Sequence, residues 1–273
     1  MSPERNVAGN LKAGISMGKI NLLAIDIGNS ACTYAIWVAG RLRRNGHVKT
    51  NGIPRLTVDL AKWGVTNDRY KVIISSVVPD ITRNLLKSIS SHLPRKSVYV
   101  VGQDVHPHVP MKYKRKALGS DRLVNLYGAL RFYKPPVLIV DFGTAITFDC
   151  LSRSGIFEGG LIVPGVQISW EALVENTALL PRINRFKPMK GWIGRETKSA
   201  MNLGILNGFG ALSDGLIEGF RKRFGRNITV IATGGLSTLM ASYVRGFDRV
   251  DPLHTLRSLA LIFRNQIANK SVP

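Results

Sequence analysis

Cysteine is almost missing from this 273-residue chain, which has only Cys32 and Cys150. Two thiols are too few for the cross-linked framework of a small secreted fold. Acidic residues are scarce as well: 17 Asp and Glu stand against 38 Lys and Arg, a formal net charge of +21. No apolar stretch approaches the roughly 20 residues of a membrane-spanning helix. The first twenty residues carry no continuous apolar segment of the secretory kind, so a reducing cytoplasm is the expected setting. Familiar catalytic signatures are absent too. Gly18-Lys19 is followed by Ile20, and Ala13 stands where a Walker A loop needs its first glycine. GxGxxG, GxSxG, HExxH and protein-kinase catalytic-loop patterns are not found. The five histidines show no metal-ligand spacing, and there is no zinc set, helix-turn-helix pattern or aromatic RNA-binding strand pair.

What remains is an ordinary globular composition, 45% hydrophobic and 20% charged, in a chain long enough for two domains. The excess of positive charge asks for an anionic partner. Yet the basic residues are dispersed, at Arg41, Arg43 and Arg44, at Lys112, Lys114, Arg115 and Lys116, and at Arg221, Lys222, Arg223 and Arg226. Such groups read as solvated faces, so nucleic-acid binding is expected to be weak and non-specific. Residues 1–19 read as a disordered extension. Strand-like runs at Leu22–Ile25, Thr33–Val38, Val72–Val77, Val98–Val101, Val137–Val140, Ile146–Cys150 and Thr229–Ala232 alternate with helix-like periodicity at Asp121–Tyr133, Trp170–Leu180 and Leu253–Ile267. That mixture predicts an α/β fold. Ala200, Gly204, Gly208, Ala211, Gly215 and Gly219 recur about every four residues; if helical, the stripe is expected to serve tight internal packing, although its glycines weaken the helix.

An internal repeat is the most informative feature. Leu22-Leu-Ala-Ile-Asp26-Ile-Gly28-Asn29-Ser30 returns 115 residues later (26 to 141) as Val137-Leu-Ile-Val-Asp141-Phe-Gly143-Thr144-Ala145. Both are apolar strands running into Asp-x-Gly and a small polar residue, and two such copies predict duplicated domains. The chemistry suits phosphate: glycine permits a tight turn whose N–H groups surround an anion, hydroxyl and amide side chains add donors, and the aspartates can hold a metal ion or its waters. Thr233-Gly234-Gly235 follows another strand and reads as a plain turn, or as bare backbone on which a nucleotide can lie. Asp121, at the start of a helical period, reads either as a cap or as a proton acceptor, and Thr197 as a cap or a ligand contact. Arg122 is a solvated or ion-paired residue unless a carboxylate ligand claims it. Cys32 reads as a small, unreactive loop residue.

Taken in order, Asp26-Ile-Gly-Asn-Ser30, Gly119-Ser-Asp121-Arg122, Asp141-Phe-Gly-Thr144-Ala-Ile-Thr147-Phe-Asp149, Gly159-Gly160-Leu-Ile-Val-Pro164-Gly165, Thr177-Ala-Leu-Leu-Pro181, Thr197 to Gly204 and Thr233-Gly-Gly235 carry a family likeness. The chain resembles the type III pantothenate kinases of the acetate kinase, sugar kinase, Hsp70 and actin superfamily. The resemblance implies two duplicated ribonuclease H-like domains, residues 20–134 and 135–273, with an active-site cleft between them. It implies transfer of the ATP γ-phosphoryl group to pantothenate, the first step toward coenzyme A. By the same likeness, Asp26, Ile27, Gly28, Asn29, Ser30, Ala31, Cys32 and Thr33 form the first phosphate loop, with Asp26 positioning Mg²⁺ through water, and Thr144 touches ATP. Tyr113, Gly119, Ser120, Asp121, Arg122 and Thr197 contact pantothenate, with Asp121 as the base. Asp141 binds an activating monovalent cation, potassium or ammonium, and homodimers are usual. Ser30 replaces the commoner Thr and keeps its hydroxyl. A nucleotide-sensing or nucleic-acid-associated regulator on the same fold is the alternative.

Overall fold

The computed structural model describes residues 20–65, 69–91, 93–181 and 186–268; the expected N-terminal extension lies outside them. In chain order the elements are β1 (Asn21–Ile27), β2 (Ala31–Val38), β3 (Arg41–Lys49), α1 (Ile53–Lys62), β4 (Tyr70–Ser76), α2 (Pro79–Ile89), β5 (Val98–Val100) and α3 (Ser120–Phe132). Then follow β6 (Val137–Phe142), β7 (Ala145–Leu151), β8 (Phe157–Pro164), α4 (Val166–Glu175), α5 (Thr197–Phe224), β9 (Thr229–Thr233), α6 (Ser237–Met240), β10 (Arg249–Val250) and α7 (His254–Gln266). Two five-stranded sheets result, ordered β3-β2-β1-β4-β5 and β8-β7-β6-β9-β10. The pairing is the same in both: the central strand runs antiparallel to the strand that follows it and parallel to the one on its other side. The repeat seen in the sequence is therefore a repeat of topology.

The chain divides into two compact units. The first comprises Met1–Val109, Tyr113–Phe132 and Leu253–Pro273, and the second Pro110–Lys112 and Tyr133–Pro252. Helix α7, which the sequence reading grouped with residues 135–273, packs on α3 and against β1 of the first unit. Its apolar residues Leu256, Leu259, Ile262 and Phe263 are buried there, and burial of each such side chain is worth about 1.5–3 kcal/mol.

The central strands are buried on both faces, which explains their unbroken apolar runs. One core joins Ile25, Ile27 and Ile74 to Leu56 and Leu60 of α1 and Leu85 and Ile89 of α2. The other joins Val140, Phe148 and Val230 to Trp170, Leu206 and Ile217. Strands β3 and β8 went unseen in the sequence because both are largely exposed sheet edges, with no apolar alternation to mark them. Helix α4 sits four residues earlier than its periodicity suggested. It ends at Glu175 because the Asn176 amide and the Thr177 hydroxyl donate to the carbonyls of Ala172 and Leu173.

The small-residue stripe is helical after all, within the 28-residue α5, but it does not pack internally. Ala200, Gly204, Gly208, Ala211, Gly215 and Gly219 are all exposed. A Cβ added at Gly204, Gly208, Gly215 or Gly219 meets nothing within 4 Å. The opposite side of the helix, with Leu206, Gly210, Ser213 and Ile217, is the one that is buried. Among the described residues no helix is long and apolar enough to cross a membrane.

Candidate active site

In the first unit Asp26 ends β1 beside a closed turn: the Gly28 N–H donates to the Ala31 carbonyl at 2.9 Å. Asn29 and Ser30 are exposed at its tip. The turn is fastened by a residue that sequence reasoning did not single out. Thr50, buried after β3, donates its hydroxyl to the Gly28 carbonyl at 2.8 Å and its N–H to the Ser30 carbonyl at 3.1 Å. Its bonding partner lies 22 residues away in the chain, so no local motif marks it. Ile27 and Cys32 pair with each other and face the core, so toward an anion at this turn they offer backbone alone. Cys32 belongs to β2 rather than to a loop. Burial, with a smaller contribution from Asp26, pushes its thiol up to about 12, which keeps it protonated and unreactive.

Sheet register makes a row of oxygen-bearing side chains, because directly paired residues share a face. Asp26 lies between Thr33 on β2 and Ser75 on β4. The second unit repeats the row: Asp141 lies between Thr147 on β7 and Thr233 on β9. Gly143 makes the corresponding turn, its N–H donating to the Ala145 carbonyl at 3.2 Å, and Thr144 is half-buried beside it. Two further glycines are required here. A side chain at Gly165 collides with the Thr144 carbonyl, and one at Gly234, where φ is +89°, collides with the Asp141 carboxylate. The Thr233-Gly-Gly235 turn thus lies directly on Asp141. The Thr233 hydroxyl is fully buried and has no hydrogen-bond partner among the described residues.

Gly119 directly precedes α3, which opens with Ser120, Asp121 and Arg122. The Asp121 carboxylate is half-buried and accepts the Arg122 N–H at 2.7 Å through Oδ1. It therefore lies inside the first turn, not at the cap, and Oδ2 keeps its accepting capacity among the described residues. A Cβ on Gly119 would approach Asp121 Oδ1 to 2.6 Å, so this rotamer needs glycine before it. Arg122 is buried, with its guanidinium 5.4 Å from the Tyr113 ring centroid, so two residues expected at one ligand are neighbours. Thr197 belongs to the second unit. It is the exposed first residue of α5, and the helix is capped by Glu196 and Ser199 instead, so Thr197 is not the cap.

The family model for type III pantothenate kinase matches residues 22–219. Curated relatives with that name include those of Syntrophobacter fumaroxidans, 35% identical over 91% of this chain and 99% of its own, and Citrifermentans bemidjiense, 37% identical over 89% and 98%. The chain belongs to the type III pantothenate kinase family. Among solved structures, the ethanolamine utilization protein EutJ of Carboxydothermus hydrogenoformans superposes with a TM-score of 0.53 at 9% identity, covering 90% of this chain and 91% of that one. A reductive activator for a corrinoid, iron–sulfur protein gives 0.51 at 10% identity, covering 93% and 62%. At such identities the likeness concerns the fold alone.

As a member of a kinase family, the protein has donor sets to be tested against the cations such chemistry uses. Among the described residues no group of three or more His, Cys, Asp or Glu side chains forms a metal cage. One carboxylate between two hydroxyls, the row of Asp26, suits Mg²⁺, which keeps most of its waters and takes phosphate oxygens for the rest. The row of Asp141, with the orphan Thr233 hydroxyl, is likewise all oxygen and suits a hard cation.

Proposed function

We propose that this protein transfers the γ-phosphoryl group of ATP to the primary hydroxyl of pantothenate, giving 4′-phosphopantothenate and ADP. The observation that carries the reading is the repeated row: the same Asp-x-Gly turn, at the same register, at the end of both central strands. Phosphoryl transfer asks a protein for alignment and neutralisation of charge, and such turns supply both. In this scheme the Gly28 to Ala31 turn and the Thr144 hydroxyl offer donors to the phosphates. Arg122, held against Tyr113, pairs with the pantothenate carboxylate, and the Gly119 backbone and Thr197 hydroxyl are further contacts. Asp121 Oδ2 accepts the hydroxyl proton as the hydroxyl oxygen bonds to the γ-phosphorus and the bond to the β–γ bridging oxygen breaks. Asp26 would hold the waters of a Mg²⁺ ion, which would supply positive charge to the phosphates. Asp141 would hold potassium or ammonium, which would supply further positive charge.

The active protein is proposed to be a cytoplasmic homodimer. Buried free thiols at Cys32 and Cys150 suit a reducing compartment. The outward small-residue stripe of α5, exposed Leu161, Ile162 and Leu212, and a groove of about 350 Å³ between β8 and α5 suit a second copy approaching backbone to backbone. Gly215→Arg places charge in open space of the monomer and should yield monomers by light scattering; an unchanged mass would remove this face. The basic groups on β3 and at the end of α5 are proposed to bind nucleic acid weakly at most. The deciding experiment on function is ATP- and pantothenate-dependent formation of 4′-phosphopantothenate by the purified protein with Mg²⁺ and potassium. No product with any phosphate donor overturns the reading.

A further inference from the structure

The Ser120 hydroxyl is saturated. It donates to the Ser76 carbonyl at 2.7 Å, accepts the Ser76 N–H at 3.1 Å, and lies 3.2 Å from the Ser75 hydroxyl. Since its one proton goes to the Ser76 carbonyl, the Ser75 hydroxyl donates in the third bond. One donor and two acceptor sites are all that a serine hydroxyl has, so none is left for a substrate. Ser75 is completely buried at the end of β4, and it is the register partner of Asp26. Ser76 is itself braced: its hydroxyl accepts the Val78 N–H at 3.0 Å and the Thr82 hydroxyl at 2.7 Å, fixing the start of α2.

We propose that Ser75 and Ser120 are positioning residues, a latch that holds the first turn of α3, and with it Asp121, in register with the strand row containing Asp26. The inference rests on the reading of Asp121 as the base, but it reassigns Ser120 from substrate contact to support. Substrate binding then belongs to Arg122 and the backbone of the segment, while the serines set the distance between the two aspartates of the first unit.

The test compares Ser75→Ala, Ser120→Ala and the double variant. Each single substitution is expected to lower kcat roughly tenfold, since a displacement of about 1 Å can cost up to 10²-fold. The pantothenate KM should stay within about twofold of wild type, because no ground-state contact is removed. The double variant should be no worse than the weaker single, as both break one device, and Ser120→Thr, which keeps the hydroxyl, should restore turnover. A raised pantothenate KM at unchanged kcat in Ser120→Ala, with Ser75→Ala neutral, makes Ser120 a direct contact and overturns the latch. A wild type without activity overturns the kinase reading instead, and the latch is then judged by amide exchange. The Ser76 N–H should lose protection in Ser120→Ala, and unchanged protection sinks the latch as well.

Discussion

The two units build the same sheet and end the same central strand on the same turn, yet they secure it differently. In the first, the turn is held by one side-chain and one backbone hydrogen bond from Thr50, and the hydroxyl in the β4 position, Ser75, is tied to α3. In the second, backbone presses on backbone at Gly165 and Gly234, and the corresponding hydroxyl, Thr233, is buried with no partner among the described residues. A duplicated frame has thus been finished in two ways. In one copy the hydroxyls of Thr50 and Ser75 are hydrogen-bonded internally, and a carboxylate with open accepting capacity stands at the start of α3. In the other, the Thr233 hydroxyl has no hydrogen-bond partner among the described residues. Burying a hydroxyl unsatisfied costs about 1–3 kcal/mol, so the contrast is energetic as well as geometric.

The largest effect that sharpens this contrast is expected at Asp121. Asp121→Asn keeps size and removes the proton acceptor, and turnover should fall by about 10²- to 10⁴-fold while the melting temperature and ATP binding stay near wild type. Near-native turnover would return Asp121 to a purely helical role. Next come the two row aspartates. Asp26→Asn should raise the Mg²⁺ requirement, whereas Asp141→Asn should flatten the activation curve for potassium or ammonium measured against sodium at fixed ionic strength. Identical responses in both variants would break the division of labour. Smaller again is the hydroxyl pair. Thr233→Val is close in shape and removes an unsatisfied group, so the protein without ligands should be unchanged or more stable by about 1 kcal/mol, while Ser75→Ala should lose a similar amount. Thermal unfolding with and without potassium reads both, and loss of potassium-dependent stabilisation in Thr233→Val is part of the expected result. The last effect is confined to alkaline pH and concerns the buried thiols, one in each unit. Burial raises Cys32 and Cys150 from 9.0 to about 12. The unfolded chain therefore ionises first, and stability should be insensitive to these groups below pH 9 and decline as pH rises from 9 toward 12. A denaturation series across that range, with Ser in place of each Cys, shows whether the decline belongs to them.

Much of this was legible in the sequence, for a physical reason. Strands buried on both faces, such as β1 and β6, must be apolar throughout, and a turn that brings N–H groups together needs glycine, so the repeat declared itself. The edge strands did not, since β3 spends its residues on arginines facing water. Asp26, Asp141 and Asp121 stand in local motifs, so the sequence alone singles them out as candidates. Thr50 and Ser75 are not singled out, because their partners lie 22 and 45 residues away and only folding reveals them. The α5 stripe was found and turned the wrong way round: a period gives a face but not its neighbour.

That stripe has a consequence for the helix itself. Four exposed glycines at about 0.8–1.0 kcal/mol each relative to alanine subtract about 3–4 kcal/mol from the helical preference of α5, and among the described residues nothing lies within 4 Å of a Cβ at these positions. If α5 pairs with a second copy as proposed, its ordering depends on concentration. On dilution below the dissociation constant, α5 is where amide protons should exchange first, and replacing Gly204 or Gly208 by alanine should slow that exchange while weakening self-association, separating the helix that folds well from the helix that pairs well.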